Sequence, residues 1–329
     1  MFFKTKKNNI IFWTISFSIF LGIFAVGIVY DFTIANYFFS KSAQLEDKTS
    51  FIKYFFNIYG MSVIVLPIYI SIVTLVYCLT YQAKITKQWI VVINVFITTI
   101  YFLATLYLSV YSTYNDYHNS FNNYQLVVES IASCTILILV ALSIIFIYLF
   151  LYTKKITKEI FNIEELAKKA GYCILYILLS LITINIIKIG VGRLRPYQVF
   201  EFDDSKSHFY YPFQVNTTSV RGNSFPSGHV HSSLCVFGFL YFINTKTKRQ
   251  KISFWALFSI FSIMSFLTLL SRLFISAHFF TDTLFSLIIC LFWFVISKTI
   301  INKMIKKDLK KQSLKSDLEK TTSFKEKGE

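Results

Sequence analysis

Three stretches of the chain gather side chains suited to handling an oxyanion. The first reads Lys188-Ile-Gly-Val-Gly-Arg-Leu-Arg195-Pro196. Lys188 and Arg195 stand seven residues apart, about two helical turns, so both can face one way, although Gly190, Gly192 and Pro196 argue against a straight helix. Arginine offers a planar fork of N–H donors that fits phosphate oxygens, and lysine a compact positive charge. The alternative for both cations is a side chain snorkelling from a helix end to the membrane surface. The second stretch, Ser224-Phe-Pro226-Ser227-Gly228-His229, opens an apolar run. Pro-Ser-Gly before such a run marks a helix start, whose free N–H groups attract anions. The Ser227 hydroxyl can add a hydrogen bond, Gly228 lets the backbone approach a ligand, and His229 stands beside it. A capped helix with an interfacial histidine is the alternative. The third stretch is Ser271-Arg272, then His278 and Asp282. Four residues apart, His278 and Asp282 share a face if they sit on one helix. A carboxylate bonded to one ring nitrogen fixes the tautomer and leaves the other nitrogen basic and nucleophilic. Asp282 also falls near the start of an apolar span, where an unpaired charge is expensive.

The elements that must position these residues are membrane helices. Of 329 residues, 55% are hydrophobic and only 15% charged, well below a soluble domain, and several apolar runs reach bilayer-crossing length. We expect an all-α, polytopic transmembrane helix bundle of about eight spans, because lipid offers no partner to unpaired backbone groups. The spans run approximately over residues 10–30, 59–80, 89–111, 131–152, 171–187, 227–243, 252–270 and 279–301. Residues 1–170 then form the N-terminal transmembrane helices, 171–301 carry all three motifs, and 302–329 form a basic tail, either a short amphipathic helix on the inner leaflet or a solvated segment. A formal charge of +16 raises nucleic acid as a partner. The lysines instead cluster between spans and in the tail, which excludes that reading and sets orientation by the positive-inside rule. The N-terminus, the tail and the loops holding Lys84, Lys154, Lys155 and Lys246 fall on the cytoplasmic side. Residues 112–128 lack Lys and Arg and fall outside. The motif cations fall outside too, against the rule, and so require a functional explanation. A signal peptide ending near Ala25 is the alternative for the first span, but its apolar run is long for that role.

The remaining candidates read more plainly. Cys78, Cys134, Cys173, Cys235 and Cys290 all fall within spans, without metal-ligand or disulfide spacing, as small packing residues do. His231 points away from His229 on a helix, so a metal pair is not expected. His118 and His208 fall in outer loops, and Glu129 near an interface. The aromatic run from His208 to Phe213 rests on the membrane interface or shapes a lipid entry. Arg193 and Arg221 flank the motifs and are candidates for a second phosphate.

Taken together, K-x6-R-P, P-S-G-H and S-R-x5-H-x3-D resemble the signature of the type 2 phosphatidic acid phosphatase superfamily, complete, in order and at the family spacing. The resemblance covers Lys188 to Asp282, less than a third of the chain. It implies a six-helix phosphatase core, with the first motif after the third helix; here it follows the fifth span, so two helices of the N-terminal half are additional. It implies that His278 is the nucleophile forming a phosphohistidine, that Asp282 orients it and that His229 is the general acid. Lys188, Arg195, Arg272, Ser227 and the Gly228 amide would hold the phosphoryl oxygens, with no metal and no cofactor. The implied protein is an inner-membrane lipid phosphatase acting on a phosphomonoester or diphosphate at the periplasmic or extracellular face, both termini cytoplasmic. Phosphatidic acid, phosphatidylglycerol phosphate, lipid A and undecaprenyl diphosphate are substrates of the implied kind. A lipid phosphotransferase with the same site, a non-catalytic lipid-binding or transport protein on the same scaffold, and a vanadate-dependent peroxidase are the other readings. The membrane spans argue against the last.

Overall fold

In hydrocarbon a segment must close its own backbone hydrogen bonds, and the chain does so by helices throughout. The computed structural model describes residues 6–83, 85–117, 124–155, 163–202 and 206–325. The helices are α1 (Lys6–Ser62), α2 (Val65–Gln82), α3 (Lys87–Tyr117), α4 (Tyr124–Lys155), α5 (Ile163–Val191), α6 (Pro196–Phe200), α7 (Gly228–Leu234), α8 (Lys248–Phe274) and α9 (Phe280–Lys325). A 3-10 helix, Cys235–Phe242, continues α7. Among the described residues, six segments are long and apolar enough to cross a membrane: Ser18–Lys41, Phe55–Gln82, Gln88–Tyr111, Ile163–Phe200, Lys248–Phe274 and Phe280–Lys307. The fourth expected span lies partly outside the residues whose side chains are described, and within it the described apolar stretch is Ile131–Ile145; the sixth is the shorter α7 with its 3-10 continuation.

Helix α1 cannot be straight. A straight helix would hold Asp31 and Asn57 about 39 Å apart at 1.5 Å per residue. Yet Asp31 bonds Arg193 and Thr281, Asn57 bonds Arg272, and Gly60 packs on His229, all within one end of the bundle. The helix therefore doubles back between Asp31 and Asn57; its first arm supplies one crossing, and its second arm begins the crossing that α2 completes. The first arm extends past Tyr30, the boundary expected from hydropathy, and carries Asp31 inside the span Ser18–Lys41. Its Gly27 and Phe24 pack on Phe280 and Phe285 of α9, so the two helices run antiparallel. Helix α2 descends against α5, with Cys173 Sγ donating to the Pro67 carbonyl and Cys78 Sγ to the Ile163 carbonyl. Helices α3 and α4 pack chiefly on α1, α2 and each other.

The segment opened by the second motif is short for a crossing. Seven α-helical and eight 3-10 residues nevertheless reach about 26 Å, because the 3-10 form rises roughly 2.0 Å per residue. It is buried on several sides: Val230, Leu234 and Cys235 pack with Cys173, Tyr176, Ile177 and Cys290 of α5 and α9. All five cysteines are buried and unpaired. The tail is the continuation of α9, which runs helical to Lys325 rather than forming a separate element.

Residues 192–227 fold over one end of the bundle. Gly192, with φ of 64°, ends α5. The loop's return strand is then pinned to that break: Asn216 N–H donates to Val191 O at 2.8 Å, Gly222 N–H to Gly192 O at 3.0 Å and Ser224 N–H to Arg193 O at 2.9 Å. Arg221 donates to the carbonyls of Ile189 and Gly190 at 2.9 and 3.0 Å. It thus closes the helix end instead of reaching toward a second phosphate. A Cβ on Gly222 would lie 2.4 Å from the Arg193 carbonyl oxygen and 2.6 Å from Leu194 Cα. Both neighbours are backbone, so Gly222→Ala is expected to lower stability by about 3 kcal/mol. Gly190→Ala, where nothing lies within 4 Å, should leave the thermal midpoint near that of the wild type. Thermal unfolding of the two variants in detergent checks this.

Candidate active site

The three motifs meet at the end of the bundle where α5 stops, α7 starts, α8 stops and α9 starts. The His229 and His278 rings lie 6.4 Å apart, centroid to centroid. Lys188, in the last turn of α5, lies against Gly228: a Cβ there would be 3.3 Å from its Nζ. Arg195 is not on the same helix as Lys188. The break at Gly192 separates them, and Arg195 is the N-cap of α6, its backbone N–H bonded to Gln198 Oε1 at 2.9 Å. The positive charges of Arg272, Arg195 and Lys188 all bear on His229. Arg272 is 1% exposed, and its guanidinium donates to Asn57 Oδ1 on the second arm of α1. Ser227 is the N-cap of α7, its hydroxyl accepting from Val230 N–H, and its own N–H donates to the Asp282 carbonyl at 3.1 Å.

His278 and Asp282 come together by a different route from a shared helical face. His278 lies in the loop between α8 and α9, and α9 begins only at Phe280. Asp282, in its first turn, reaches back so that Oδ2 accepts from Phe279 N–H at 2.9 Å, as an N3 carboxylate does. The ring nitrogen Nδ1 of His278 donates to the Ser224 carbonyl at 2.7 Å, whereas Asp282 Oδ2 is 3.6 Å from it. A backbone carbonyl accepts only, so Ser224 fixes the proton on Nδ1 and leaves the Nε2 lone pair free. The carboxylate acts on the ring by charge at close range. Burial depresses the His278 pKa to about 4, Asp282 opposing that shift and Arg195 and Lys188 adding to it. The imidazole is thus neutral at physiological pH. Across from it, His229 Nε2 is buried and has no hydrogen-bond partner among the described residues. Such a nitrogen is costly unless a ligand atom meets it.

The sequence reading missed Asp31 and Asn57, gave Arg193 another role, and quoted Ser224 without assigning it one. Asp31, Arg193, Ser224 and Asn57 all touch the site's machinery. Arg193 does not face a second phosphate: it is 1% exposed, donates to Asp31 at 2.8 Å and Asp282 at 2.6 Å, and lies 3.9 Å from the centre of the Phe279 ring. Ser224 Oγ donates to Asp282 Oδ2. A carboxylate inside an apolar span was the available signal for Asp31. Nothing local marks Asn57. The aromatic run 208–213 is divided in its packing. Phe209 packs on Phe32 and Phe279, Phe213 on Phe225 and Phe285, while Tyr211 stays exposed. His208 stacks on Phe202 at 3.8 Å, and His231 turns inward with Nε2 2.9 Å from Ser180 Oγ. His118 lies outside the described residues, as does the side chain of Glu129. Among the described residues no group of three or more His, Cys, Asp or Glu is arranged to hold a metal ion.

Residues 169–306 match the family model described as PAP2 superfamily. No curated protein and no solved structure matches the chain.

His229 is held in place from behind by Gly60. A Cβ there would lie 2.9 Å from Thr268 Cγ2, 3.1 Å from His229 Cβ and 3.2 Å from the His229 carbonyl oxygen. Gly60→Leu is expected to overpack this contact by about 1–3 kcal/mol and displace His229. Gly22→Ala, where nothing lies within 4 Å, should not. Thermal midpoints of the two variants, with the His229 ring signal followed by NMR, test the contact.

Proposed function

We propose that this multi-pass membrane protein hydrolyses a lipid phosphate through a phosphohistidine, a reading supported by the match of residues 169–306 to the PAP2 superfamily model and by the motifs' resemblance to the type 2 phosphatidic acid phosphatases. The observation that carries the reading is the pairing of two imidazoles 6.4 Å apart, one with its Nδ1 proton fixed and one with its Nε2 unpartnered.

In this mechanism the Nε2 lone pair of His278 attacks phosphorus, and the bond from phosphorus to the lipid oxygen breaks. His229 takes up a proton together with the phosphate, whose negative charge offsets the surrounding cations, and gives that proton to the leaving oxygen. The phosphorylated ring keeps its Nδ1 proton on the Ser224 carbonyl and carries positive charge, which Asp282 offsets. Water then gives a proton to His229 and attacks phosphorus, the P–N bond breaks, and phosphate leaves. Lys188, Arg195 and Arg272 hold the three phosphoryl oxygens, and Ser227 and the Gly228 amide complete the cradle. Fixed donors of this kind, arranged before the charge develops, are the main catalytic lever in phosphoryl transfer.

A lipid substrate fits a site built on the ends of spanning helices, where a headgroup arrives while its tails stay in the bilayer. The orientation follows from charge. The helix ends remote from the site carry Lys6, Lys7, Lys246, Lys248, Arg249, Lys251, Lys303, Lys306 and Lys307, and by the positive-inside rule this supports a cytoplasmic position for them and an outer-face position for the site.

Two outcomes are expected. Purified protein in detergent should release phosphate from dioctanoyl phosphatidic acid with EDTA present, and His278→Ala should reduce that release by about 10⁴-fold or more. Retained turnover in His278→Ala would overturn the covalent route. The second concerns acid. The nucleophile must be unprotonated, and its folded pKa of about 4 lies below the ordinary value of 6.5. The neutral form therefore dominates above that point and is lost as pH falls through it. The acid limb of kcat/KM, which reports the free enzyme, should bend near pH 4 and not near 6.5.

A further inference from the structure

We propose that Asp31, on the first arm of α1, is a positioning residue of this site: it neutralises Arg193 and so leaves the Asp282 carboxylate its net charge for His278. The inference rests on the phosphatase reading above and goes beyond it, because Asp31 lies outside the matched residues 169–306.

The geometry is a row of three charges shut away from water. The side chains of Asp31, Arg193 and Asp282 are each 0% exposed. Arg193 spans the row, Nη2 to Asp31 Oδ2 at 2.8 Å and Nη1 to Asp282 Oδ1 at 2.6 Å. Thr281 sits at the centre of the row. It receives Arg193 Nη1 at 3.1 Å, its hydroxyl donates to Asp31 Oδ2, and its N–H donates to Asp31 Oδ1 at 3.0 Å. Phe279 and Phe209 cover the guanidinium at 3.9 and 5.3 Å from their ring centres, which excludes water from that side.

The charge count gives the function. Arg193 and Asp282 alone would sum to zero. The guanidinium, at 2.6 Å, would then cancel most of what Asp282 exerts on a ring 3.6 Å away. Adding Asp31 returns the row to a net charge of minus one. The ring needs that charge when it becomes cationic on phosphorylation, because every other charged group around it is positive: Lys188 from α5, Arg195 at the start of α6 and Arg272 from α8, with His229 of α7 facing it. Bracing alone would not need a second carboxylate. Asp282 is already held by Ser224 Oγ and Phe279 N–H.

The test is a charge cycle on the full-length protein in detergent: Asp31→Asn, Arg193→Gln and the double variant, with Asp31→Glu as the charge-keeping control. Turnover of dioctanoyl phosphatidic acid gives kcat and KM. Labelled histidine, with the His278 signal identified by its loss in His278→Ala, gives that ring's titration midpoint by NMR. Asp31→Asn should lower kcat about tenfold or more with KM within about twofold, and lower the His278 midpoint by roughly one pH unit. Asp31→Glu should restore much of both. The double variant, again minus one in net charge, should lie closer to wild type than Asp31→Asn does. A kcat and midpoint unchanged in Asp31→Asn would overturn the proposal. So would a double variant worse than both singles, the signature of a brace. If Asp31→Asn does not fold, Asp31→Glu and the double variant, whose remaining carboxylate Asp282 keeps Ser224 Oγ and Phe279 N–H as donors, decide between the same outcomes. If wild type shows no turnover, the phosphatase reading fails, and the NMR midpoints judge the charge proposal without it.

Discussion

A guanidinium sealed from water must keep every partner it has, and Arg193 has two carboxylates on two different helices. Removing Arg193 would strand two buried carboxylates where solvation cannot recover them, a loss of about 3–5 kcal/mol in comparable buried pairs. That constraint locks three pieces of chain together: the first arm of α1, the break after α5 and the first turn of α9. The remaining architecture at this end follows from it. The break at Gly192 puts Arg193 in the row, the return strand fastens the break, and Ser224 on that strand meets both Asp282 and His278. One loop thereby sets the position of the carboxylate and the tautomer of the ring.

The site divides its charges by element. Cations come from α5, from the cap of α6 and from the end of α8, where each can reach a shared anion. The anions are held behind the ring in the row with Arg193, away from any bound phosphate. The separation gives one small volume positive charge around the two imidazoles and negative charge behind the His278 ring. Helix α7 completes it from a third side, and the tighter 3-10 continuation allows a short segment to carry His229 at the outer end while its other end approaches the opposite interface.

Outside the matched region, α1 does more than anchor the chain. Asp31, Asn57 and Gly60 come from its two arms and touch Arg193, Arg272 and His229 in turn. The doubling-back of α1 makes this possible, since a straight helix would hold Asp31 and Asn57 about 39 Å apart. Helices α3 and α4 stand apart from that task, packed chiefly on α1, α2 and each other.

Local chemistry in the sequence was enough for the spans, the three motifs and the identity of the groups that surround the imidazoles, because hydropathy and side-chain type are properties of short stretches. It also placed the lysine clusters away from the motifs. It misjudged how the partners meet. Spacing of four suggested that His278 and Asp282 share a helical face, but the helix starts between them and the carboxylate arrives by reaching back to its own helix start. Spacing of seven suggested one helix for Lys188 and Arg195, and a left-handed glycine divides them. Only the tertiary structure decided that Arg193 turns inward, that Arg221 closes a helix end, and that Asp31 and Asn57 belong to the site. The physical reason is distance along the chain. A buried charge pair 162 residues apart leaves no periodicity, spacing or cap to read, and exists only once α1 has packed against the break that follows α5.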